Sequence, residues 1–450
     1  MARWGKLKST YPTKQRQPKP AQDPIVGRLK PDVAPHPIAR TILTKINLMR
    51  ATSALQPIAR PALTCLALLL ILFSRRPEMF LNPQLWAEDG LIFFLQADAD
   101  GAQALLTPFS GYHHLLLRII AAVAAPLNAV VLPAGYFYAS MAVTIMLAAA
   151  LFSPRIQLSF RPACALALGL LPHTGEVFGN LTNLQWLAAL GLVWLLLASD
   201  ATRPWQHIGD MLTVTVLGLT GVFSVLFTPL FLYRAGQRRS LTSAIIAGLL
   251  ACAALVQAVT IYRTGSDTLS SETAWSFLNT IEVIGLRLIG SLCIPLDQAM
   301  RLPLFFTIGL GAVTGVGLIC AACWPGQQRD TRLLLVACIG LIIAGTLFRF
   351  SHEPTALDVI TDGDRYFFLP KLLIAWLLIQ GLADTGWRRW ACAGMCLAAL
   401  TTSLSNWRYA RFPDRDWPSY ARRIEAGENV TAIPLNPDWT FSHPGRHHLP

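Results

Sequence analysis

The sequence predicts an all-α polytopic membrane protein. Of its 450 residues, 53% are hydrophobic and only 14% are charged, whereas an ordinary soluble domain carries about a quarter charged residues. A folded chain of this length with so little charge lacks the polar surface to face water on all sides. After residue 60, apolar runs recur that approach the roughly 20 residues needed to cross a bilayer. We therefore expect about 10 or 11 transmembrane helices, some of them short or broken.

The net charge of +12 is concentrated at one end of the chain. Residues 1–60 contain 12 lysines and arginines against two aspartates, which gives +10, so the remainder contributes only +2. A basic, proline-rich segment without apolar periodicity is typical of a disordered arm. Because lysine and arginine collect on the cytoplasmic side of membrane proteins, the charge predicts a cytoplasmic arm at 1–53 and no nucleic-acid partner.

The membrane domain is predicted to span residues 54–404, followed by a short outer C-terminal tail at 405–450. Residues 208–233 are interrupted by glycine and hydroxyl residues, which favours two short helices that turn back. Residues 115–132 and 281–296 contain charged side chains and are expected to lie in the interface. The predicted crossings are 54–73, 134–153, 163–172, 184–199, 241–261, 303–323, 333–348, 367–383 and 390–404.

Two local features qualify this arrangement. The basic clusters that follow the arm fall on the cytoplasmic side, but Arg75 and Arg76 fall on the outer side, against the positive-inside rule. Gly309, Gly311 and Gly315 lie in the middle of a crossing, where small residues allow helices to pack closely.

An acidic motif, Trp86-Ala87-Glu88-Asp89-Gly90, stands in the first outer loop. Carboxylates beside an apolar run are costly to dehydrate, so near a membrane they usually mark a site. Adjacent side chains diverge on a helix and on a strand, which leaves one of Glu88 and Asp89 to reach a substrate. The other would orient a partner, bind a metal, or cap a helix that begins at Gly90. Both are candidate catalytic residues.

Basic residues gather at a second outer loop, around Thr361-Asp362-Gly363-Asp364-Arg365-Tyr366 and Lys371. Lys371 is the only lysine after residue 60, and it follows Arg365 by six positions in an apolar helix. Cations at this depth suit a phosphate group near the lipid headgroups. The phosphate-binding candidates are Arg349, His352, Arg365 and Lys371; the simpler alternative is a lysine whose side chain snorkels to the interface.

Aromatic and amide side chains are scattered through the outer loops, in a mixture that suits sugar binding. Rings stack against sugar faces, and amides donate to or accept from hydroxyl groups. The candidates for substrate binding are Trp86, Tyr112, His113, His114, Glu176, Asn183 and Tyr366. Taken singly, each is also an ordinary residue of a loop or a membrane interface.

These motifs resemble those of the membrane glycosyltransferases of the C-type fold, which use polyprenyl-phosphate sugars as donors. Trp86-Ala87-Glu88-Asp89-Gly90 stands where that superfamily keeps its loop acid, and Arg365-Tyr366 with Pro370 is similar to a pattern of its bacterial members. The broken segment 208–233 also resembles short helices found there. The overall likeness runs from about residue 54 to 404, and its specific part is two short motifs.

The resemblance implies sugar transfer on the outer face of a bacterial inner (plasma) membrane, with a loop carboxylate as general base. The donor would be a polyprenyl-phosphate sugar, and the acceptor a glycan, a lipid or another small molecule presented from the membrane. The spaced acidic triplet of metal-dependent relatives is absent from this sequence. A divalent metal ion is therefore left open, and no metal ligand is assigned.

Two other functions fit some of the same residues. A polymerase or ligase that joins lipid-linked glycans would share the membrane location, the lipid phosphate and the outer basic residues. A lipid or solute transporter would need polar residues accessible from both sides, whereas here they collect on one.

Overall fold

The computed structural model describes residues 59–264, 276–326, 328–351, 357, 360 and 363–446. The predicted arm at 1–53 and the candidate residue His352 lie outside the described residues. Residues 59–75 form the first helix, α1. The α-helices that follow are Pro77–Leu81 (α2), Leu95–Asp100 (α3), Leu115–Ala124 (α4), Leu132–Ala150 (α5), Arg161–Leu170 (α6), Leu184–Leu197 (α7), Pro204–Gly218 (α8), Phe223–Arg238 (α9), Leu241–Thr264 (α10), Phe277–Ile284 (α11), Ser291–Cys293 (α12), Leu296–Ala299 (α13), Leu304–Cys323 (α14), Arg329–Arg349 (α15), Arg365–Gly381 (α16), Trp387–Ser405 (α17) and Trp417–Glu425 (α18).

Shorter elements fill the connections between these helices. Two π-helical turns lie at Asp89–Phe94 and Gly285–Gly290, and two 3-10 helices lie at Gly101–Leu106 and Ala129–Val131. Strands β1 (Val430–Leu435) and β2 (Trp439–His443) pair as an antiparallel hairpin in the C-terminal segment. The chain is mostly helical, as predicted, and this hairpin is the departure from an all-α fold in the part of the chain that the structure describes.

Four of the described helical segments are long and apolar enough to cross a membrane: Ala129–Ala150, Leu241–Thr264, Leu304–Cys323 and Arg329–Arg349. They indicate membrane association. Each predicted crossing overlaps one of the helices above, but the total of 10 or 11 crossings stays a prediction. The segment 208–233 is broken as expected, because α8 and α9 are separated by a turn that contains Gly221 in a left-handed conformation.

Helices α7 and α16 occupy the middle of the bundle. Nearly every side chain of α7 is buried, and α16 is buried along most of its length. A helix that is apolar and buried on all sides belongs to the centre of a large fold. The two helices contact each other, and the residues that precede their N-termini form the candidate site.

The glycines of α14 differ in how much space surrounds their Cβ positions. A Cβ atom on Gly311 would lie only 2.0 Å from the backbone oxygen of Ile281, and one on Gly285 would lie 2.0 Å from that of Thr307. The two backbones therefore touch here, as predicted for small residues in a crossing. Gly309 and Gly315 face open space, so close packing is confined to one of the three predicted positions.

Arg75 and Arg76, which the predicted topology puts on the outer side, are both buried. The Arg75 guanidinium donates to the carbonyl oxygens of Gly169 at 2.7 Å and Leu171 at 3.0 Å, where α6 ends. It also lies 4.2 Å from the centre of the Tyr409 ring. Arginines used as internal hydrogen-bond donors hold the chain together and contribute little to the surface charge that orients a membrane protein.

Candidate functional site

The two motifs singled out in the sequence meet on one loop, residues 171–183, which leads into α7. Asp89 holds the end of this loop, and Asp364 holds its beginning. The meeting point lies at the N-terminal ends of α7 and α16, where unpaired backbone N–H groups and the helix dipole favour negative charge.

Asp89 is buried, with 1% of its surface exposed, and its carboxylate is saturated with hydrogen bonds. It accepts from the backbone N–H of Thr182 at 2.8 Å, from the Thr182 hydroxyl at 2.8 Å and from the N–H of Leu181 at 3.1 Å. The alternative that Asp89 caps the helix beginning at Gly90 is wrong, because its carboxylate accepts from Trp86, Leu181 and Thr182 and not from N–H groups of the turn that follows. Asp89 instead anchors a distant loop.

The environment of Asp89 favours its protonated form. Burial raises the pKa of this carboxyl to about 7, although the hydrogen bonds from Thr182, Leu181 and Trp86 pull in the opposite direction. Desolvation of a charge outweighs several hydrogen bonds when the group is fully enclosed.

Glu88 differs from its neighbour. Its side chain is half-buried, and within the described residues its carboxylate has no hydrogen bond or ion pair. The motif therefore separates its two acids into one that is enclosed and saturated and one that is open to a ligand. Only one acid was expected to reach a substrate; that expectation stays a prediction, and Glu88 is the acid whose carboxylate is not committed to another described group.

Asp364 and Lys371 form a buried ion pair at the other end of the loop. The Lys371 amine lies 2.6 Å from one Asp364 oxygen and donates to the carbonyl of Pro172 at 3.1 Å. The second Asp364 oxygen accepts from the N–H of Thr174 at 2.8 Å. Because Lys371 is 1% exposed and already paired, it neither snorkels to the interface nor presents a free charge to a phosphate. Its prediction as a phosphate ligand is corrected to a structural role.

Glu176 and Arg365 form a second ion pair, closer to the surface. An Arg365 nitrogen donates to a Glu176 carboxylate oxygen, and about a third of the Arg365 side chain remains exposed. Burial raises the pKa of Glu176, while Arg365 lowers it. This pair leaves part of the guanidinium free for a second anion.

Four rings form a wall beside this pair. The Tyr366 ring lies 4.6 Å from that of Trp186, and the Tyr112 ring lies 4.6 Å from that of His114. Tyr112 connects the two halves, because it hydrogen-bonds Gln185 and lies within electrostatic range of Tyr366, Arg365 and Arg349. The structure thus brings together five predicted site residues from three segments: Tyr112, His114, Arg349, Arg365 and Tyr366.

Arg349 is exposed at the C-terminal end of α15, with no hydrogen bond or ion pair among the described side chains. Its guanidinium lies 6.0 Å from the centre of the Phe350 ring. Of the predicted phosphate ligands that the structure describes, it carries the only fully free charge.

His113 and Asn183 serve the scaffold. The Gln257 amide accepts from the backbone N–H of His113 at 2.8 Å and donates to its carbonyl oxygen at 3.0 Å. Asn183 is buried, and its side chain donates to the carbonyl oxygen of Glu176 at 3.0 Å. The His113 imidazole lies 3.2 Å from the Thr260 hydroxyl, whereas Oδ1 of Asn183 has no partner among the described residues.

Trp86 lies apart from the ring wall, in a cleft on the other side of the loop. Its ring centre is 4.9 Å from that of Phe412. The cleft carries the mixture of rings, amides and charges expected of a sugar site, and its lining includes Glu78, Asn82, Gln84, Trp86, Phe178, Asn180, Arg411, Phe412 and Asp414.

The C-terminal segment, predicted as a short tail, is folded against the acidic motif. The N–H of Ala87 donates to the carbonyl oxygen of Asn436 at 2.6 Å, and a Cβ on Gly90 would lie 3.0 Å from both methyl groups of Leu435. Arg446 bonds Asp98 at 2.7 Å. Sequence reasoning missed this contact, although the tryptophans of the segment signalled that it has a core.

No group of three or more His, Cys, Asp or Glu side chains suited to a metal ion occurs within the described ranges. The divalent metal left open above therefore gains no assigned site. No protein-family model, no curated protein and no solved structure matches this chain.

Proposed function

We propose that this protein is a membrane glycosyltransferase that transfers a sugar from a polyprenyl-phosphate donor to a glycan, lipid or other acceptor. The observation that carries the proposal is the division of the acidic motif into a buried, saturated Asp89 and a half-exposed, unpaired Glu88. The motif is joined through one loop to a second motif, whose Arg365 keeps part of its side chain exposed and whose Tyr366 belongs to the wall of rings.

Glu88 is the proposed general base. It takes the proton of the acceptor hydroxyl as the oxygen forms a bond to the anomeric carbon and the bond from that carbon to the phosphate oxygen breaks. The departing phosphate carries the electron pair away. A positioned carboxylate of this kind contributes about 10²–10⁴ in rate.

Arg349 and the exposed part of Arg365 are the proposed partners of the phosphate. Negative charge grows on the phosphate as the sugar leaves, so cations and helix N-termini aimed at it stabilise the transition state. Glu176 holds Arg365 in position. The rings of Tyr112, Trp186 and Tyr366 would flank the donor sugar, and the cleft at Trp86 would accept the second sugar or hydroxyl compound.

The reaction is proposed for the outer, periplasmic face of a bacterial inner membrane, with a cytoplasmic N-terminus. This rests on the charge of the N-terminal 60 residues and on the four apolar helices, which support membrane association.

The experiment that tests the function compares the lipid-soluble glycans of cells with and without this protein, together with cells that carry Glu88→Gln. We expect the loss of one glycosylated product and the accumulation of its polyprenyl-phosphate sugar in both the deletion and Glu88→Gln strains. Glu428→Gln is the matched control, because Glu428 is an exposed acid that pairs only with Arg423.

Unchanged glycans in the deletion strain would exclude the proposed function. A ladder of shortened glycans would indicate a polymerase or ligase. Flux of an unmodified compound across vesicles, with no covalent product, would indicate a transporter.

A further inference from the structure

Arg118 is the most unusual charged residue of the described chain. It lies on α4, is 1% exposed, and none of its three guanidinium nitrogens has a hydrogen-bond partner among the described residues. Every other guanidinium of comparable burial is hydrogen-bonded: Arg75 donates to carbonyl oxygens of α6, and Arg287 donates to those of Leu357 and Ile360. Arg118 therefore has a buried charge and up to five N–H donors without an acceptor.

The groups around Arg118 do not neutralise it. Its guanidinium lies 5.2 Å from the centre of the Phe93 ring, in the π-helical turn that follows the acidic motif. The Tyr136 hydroxyl lies within electrostatic range and is likewise buried without a partner in the described part of the chain. Asp100 is in electrostatic range but forms no ion pair with it.

His114, one turn before Arg118, is neutral. Burial lowers the pKa of its imidazole to about 3, and the charge of Arg118 acts in the same direction. Its Nε2 lies 3.1 Å from the carbonyl oxygen of Phe109, so Nε2 carries the proton that donates. The surroundings of Arg118 thus include one neutral imidazole, one neutral hydroxyl and, in electrostatic range but not in an ion pair, the carboxylate of Asp100.

A buried guanidinium without a partner is costly, on the scale of several kcal/mol. An oxyanion removes this cost, because its oxygens accept two parallel hydrogen bonds from the guanidinium fork. π-helical turns such as Asp89–Phe94 also occur frequently at functional sites.

We infer that Arg118, with the hydroxyl of Tyr136, forms a binding site for a phosphate group, and that a lipid phosphodiester is its best match. A phosphodiester carries a single negative charge, whereas a phosphate monoester carries nearly two, and the second charge is disfavoured by Asp100, which lies in electrostatic range of Arg118. Leu106 of the 3-10 helix that packs against α4, Val123 of α4 itself and Leu127 just after it are exposed and apolar, and they suit the acyl region of a lipid.

Access of such a group requires a local outward movement. The 3-10 helix Gly101–Leu106 packs against α4. Short irregular elements of this kind open at a low free-energy cost. The inference stands on the burial of Arg118 and not on the proposed transfer reaction. Because a polyprenyl-phosphate sugar is also a lipid phosphodiester, the probe is phosphatidylglycerol, which donates no sugar.

The test measures the melting temperature of delipidated protein in dodecyl maltoside micelles, with three separate additions: phosphatidylglycerol, its soluble headgroup glycerophosphoglycerol, and inorganic phosphate. For the wild type we expect phosphatidylglycerol to raise the melting temperature in a saturable manner, as mass action requires. In Arg118→Gln, the affinity should fall by about tenfold or more for each charge-assisted hydrogen bond lost.

The difference in melting temperature between Arg118→Gln and the wild type should change sign when the lipid is added. Without any added phosphate compound, Arg118→Gln should melt at a higher temperature than the wild type, because it removes a buried charge that has no hydrogen bond or ion pair among the described residues. With phosphatidylglycerol, the order should reverse. Arg389→Gln, which alters an exposed arginine, should leave both measurements unchanged.

Further variants keep the test decisive if Arg118→Gln does not fold. Arg118→Lys retains the charge but loses the fork, and Tyr136→Phe removes only the hydroxyl; both should bind more weakly than the wild type. A response to glycerophosphoglycerol or to inorganic phosphate alone would support the phosphate site and assign it to a soluble source. Equal responses of wild type and Arg118→Gln to all three additions, or no response of the wild type to any, would overturn the inference.

Discussion

Glu88 and Asp89 are adjacent in sequence, yet the structure predicts opposite effects when each is replaced. Glu88 is half-exposed and unpaired, so Glu88→Gln should leave the free energy of unfolding within about 0.5 kcal/mol of the wild type. The same change removes the proposed general base and should slow sugar transfer by about 10²–10⁴. That loss corresponds to about 3–5 kcal/mol of activation free energy.

Asp89→Ala should instead destabilise the fold. It leaves the backbone N–H groups of Leu181 and Thr182 buried without an acceptor, at about 1–3 kcal/mol each, which makes about 2–6 kcal/mol together. The comparison is best made near pH 6. There the carboxyl, whose pKa is raised to about 7 by burial, is mostly protonated, so its removal does not relieve a buried charge.

The assay combines thermal unfolding of the purified variants with transfer from a polyprenyl-phosphate sugar, normalised to folded protein. A wild-type melting temperature for Asp89→Ala would refute the predicted destabilisation, because the hydrogen bonds from Asp89 to the loop would then contribute nothing to stability. Full transfer by Glu88→Gln would refute the assignment of the base.

Three further predictions concern stability. The pKa of Asp89 is 3.8 in the unfolded chain and about 7 in the fold, where burial raises it, so the folded state keeps a proton that the unfolded state has released. The free energy of unfolding should therefore fall as pH rises from about 4 to 7. Over that window the melting temperature of the wild type should decline relative to that of Asp89→Asn. A difference in melting temperature that stays flat or rises would contradict this prediction. Lys371→Met leaves the buried Asp364 charge unpaired and should lower the free energy of unfolding by about 3–5 kcal/mol. The double variant with Asp364→Asn should recover most of that loss, as measured by denaturant unfolding. Gly90→Ala should cost about 1–3 kcal/mol because its Cβ crowds Leu435, and the penalty should shrink in a Leu435→Ala background; additive costs in the double-mutant cycle would speak against this contact.

The positions of the helices could be predicted from the sequence because hydrophobic period and length are local properties. The broken segment at 208–233 was predicted for the same reason, since glycine and hydroxyl residues interrupt it in a contiguous stretch. The candidate acids and cations were found because ionisable residues are rare in apolar surroundings and therefore conspicuous.

The roles of those residues could not be predicted, because they depend on partners far along the chain. Lys371 was expected to meet a phosphate, but its amine is satisfied by Asp364 and by the carbonyl of Pro172. Arg75 appeared misplaced on the outer side, but the carbonyls at the end of α6 enclose it. Both charged residues are evident from the sequence, but only folding brings the ion-pair partner of Lys371 and the hydrogen-bond acceptors of Arg75 close to them.

Composition, hydrophobic pattern and the charge of the first 60 residues thus determine by themselves that the chain is helical and associated with a membrane. These properties follow from sums over neighbouring residues. The tertiary structure alone decided which of two adjacent carboxylates is half-exposed, that residues 430–443 form a hairpin against the acidic motif, and that Arg118 is buried without a hydrogen-bond partner in the described part of the chain. Burial and hydrogen-bond pairing are set by contacts between distant segments, and they determine which polar group remains free to act.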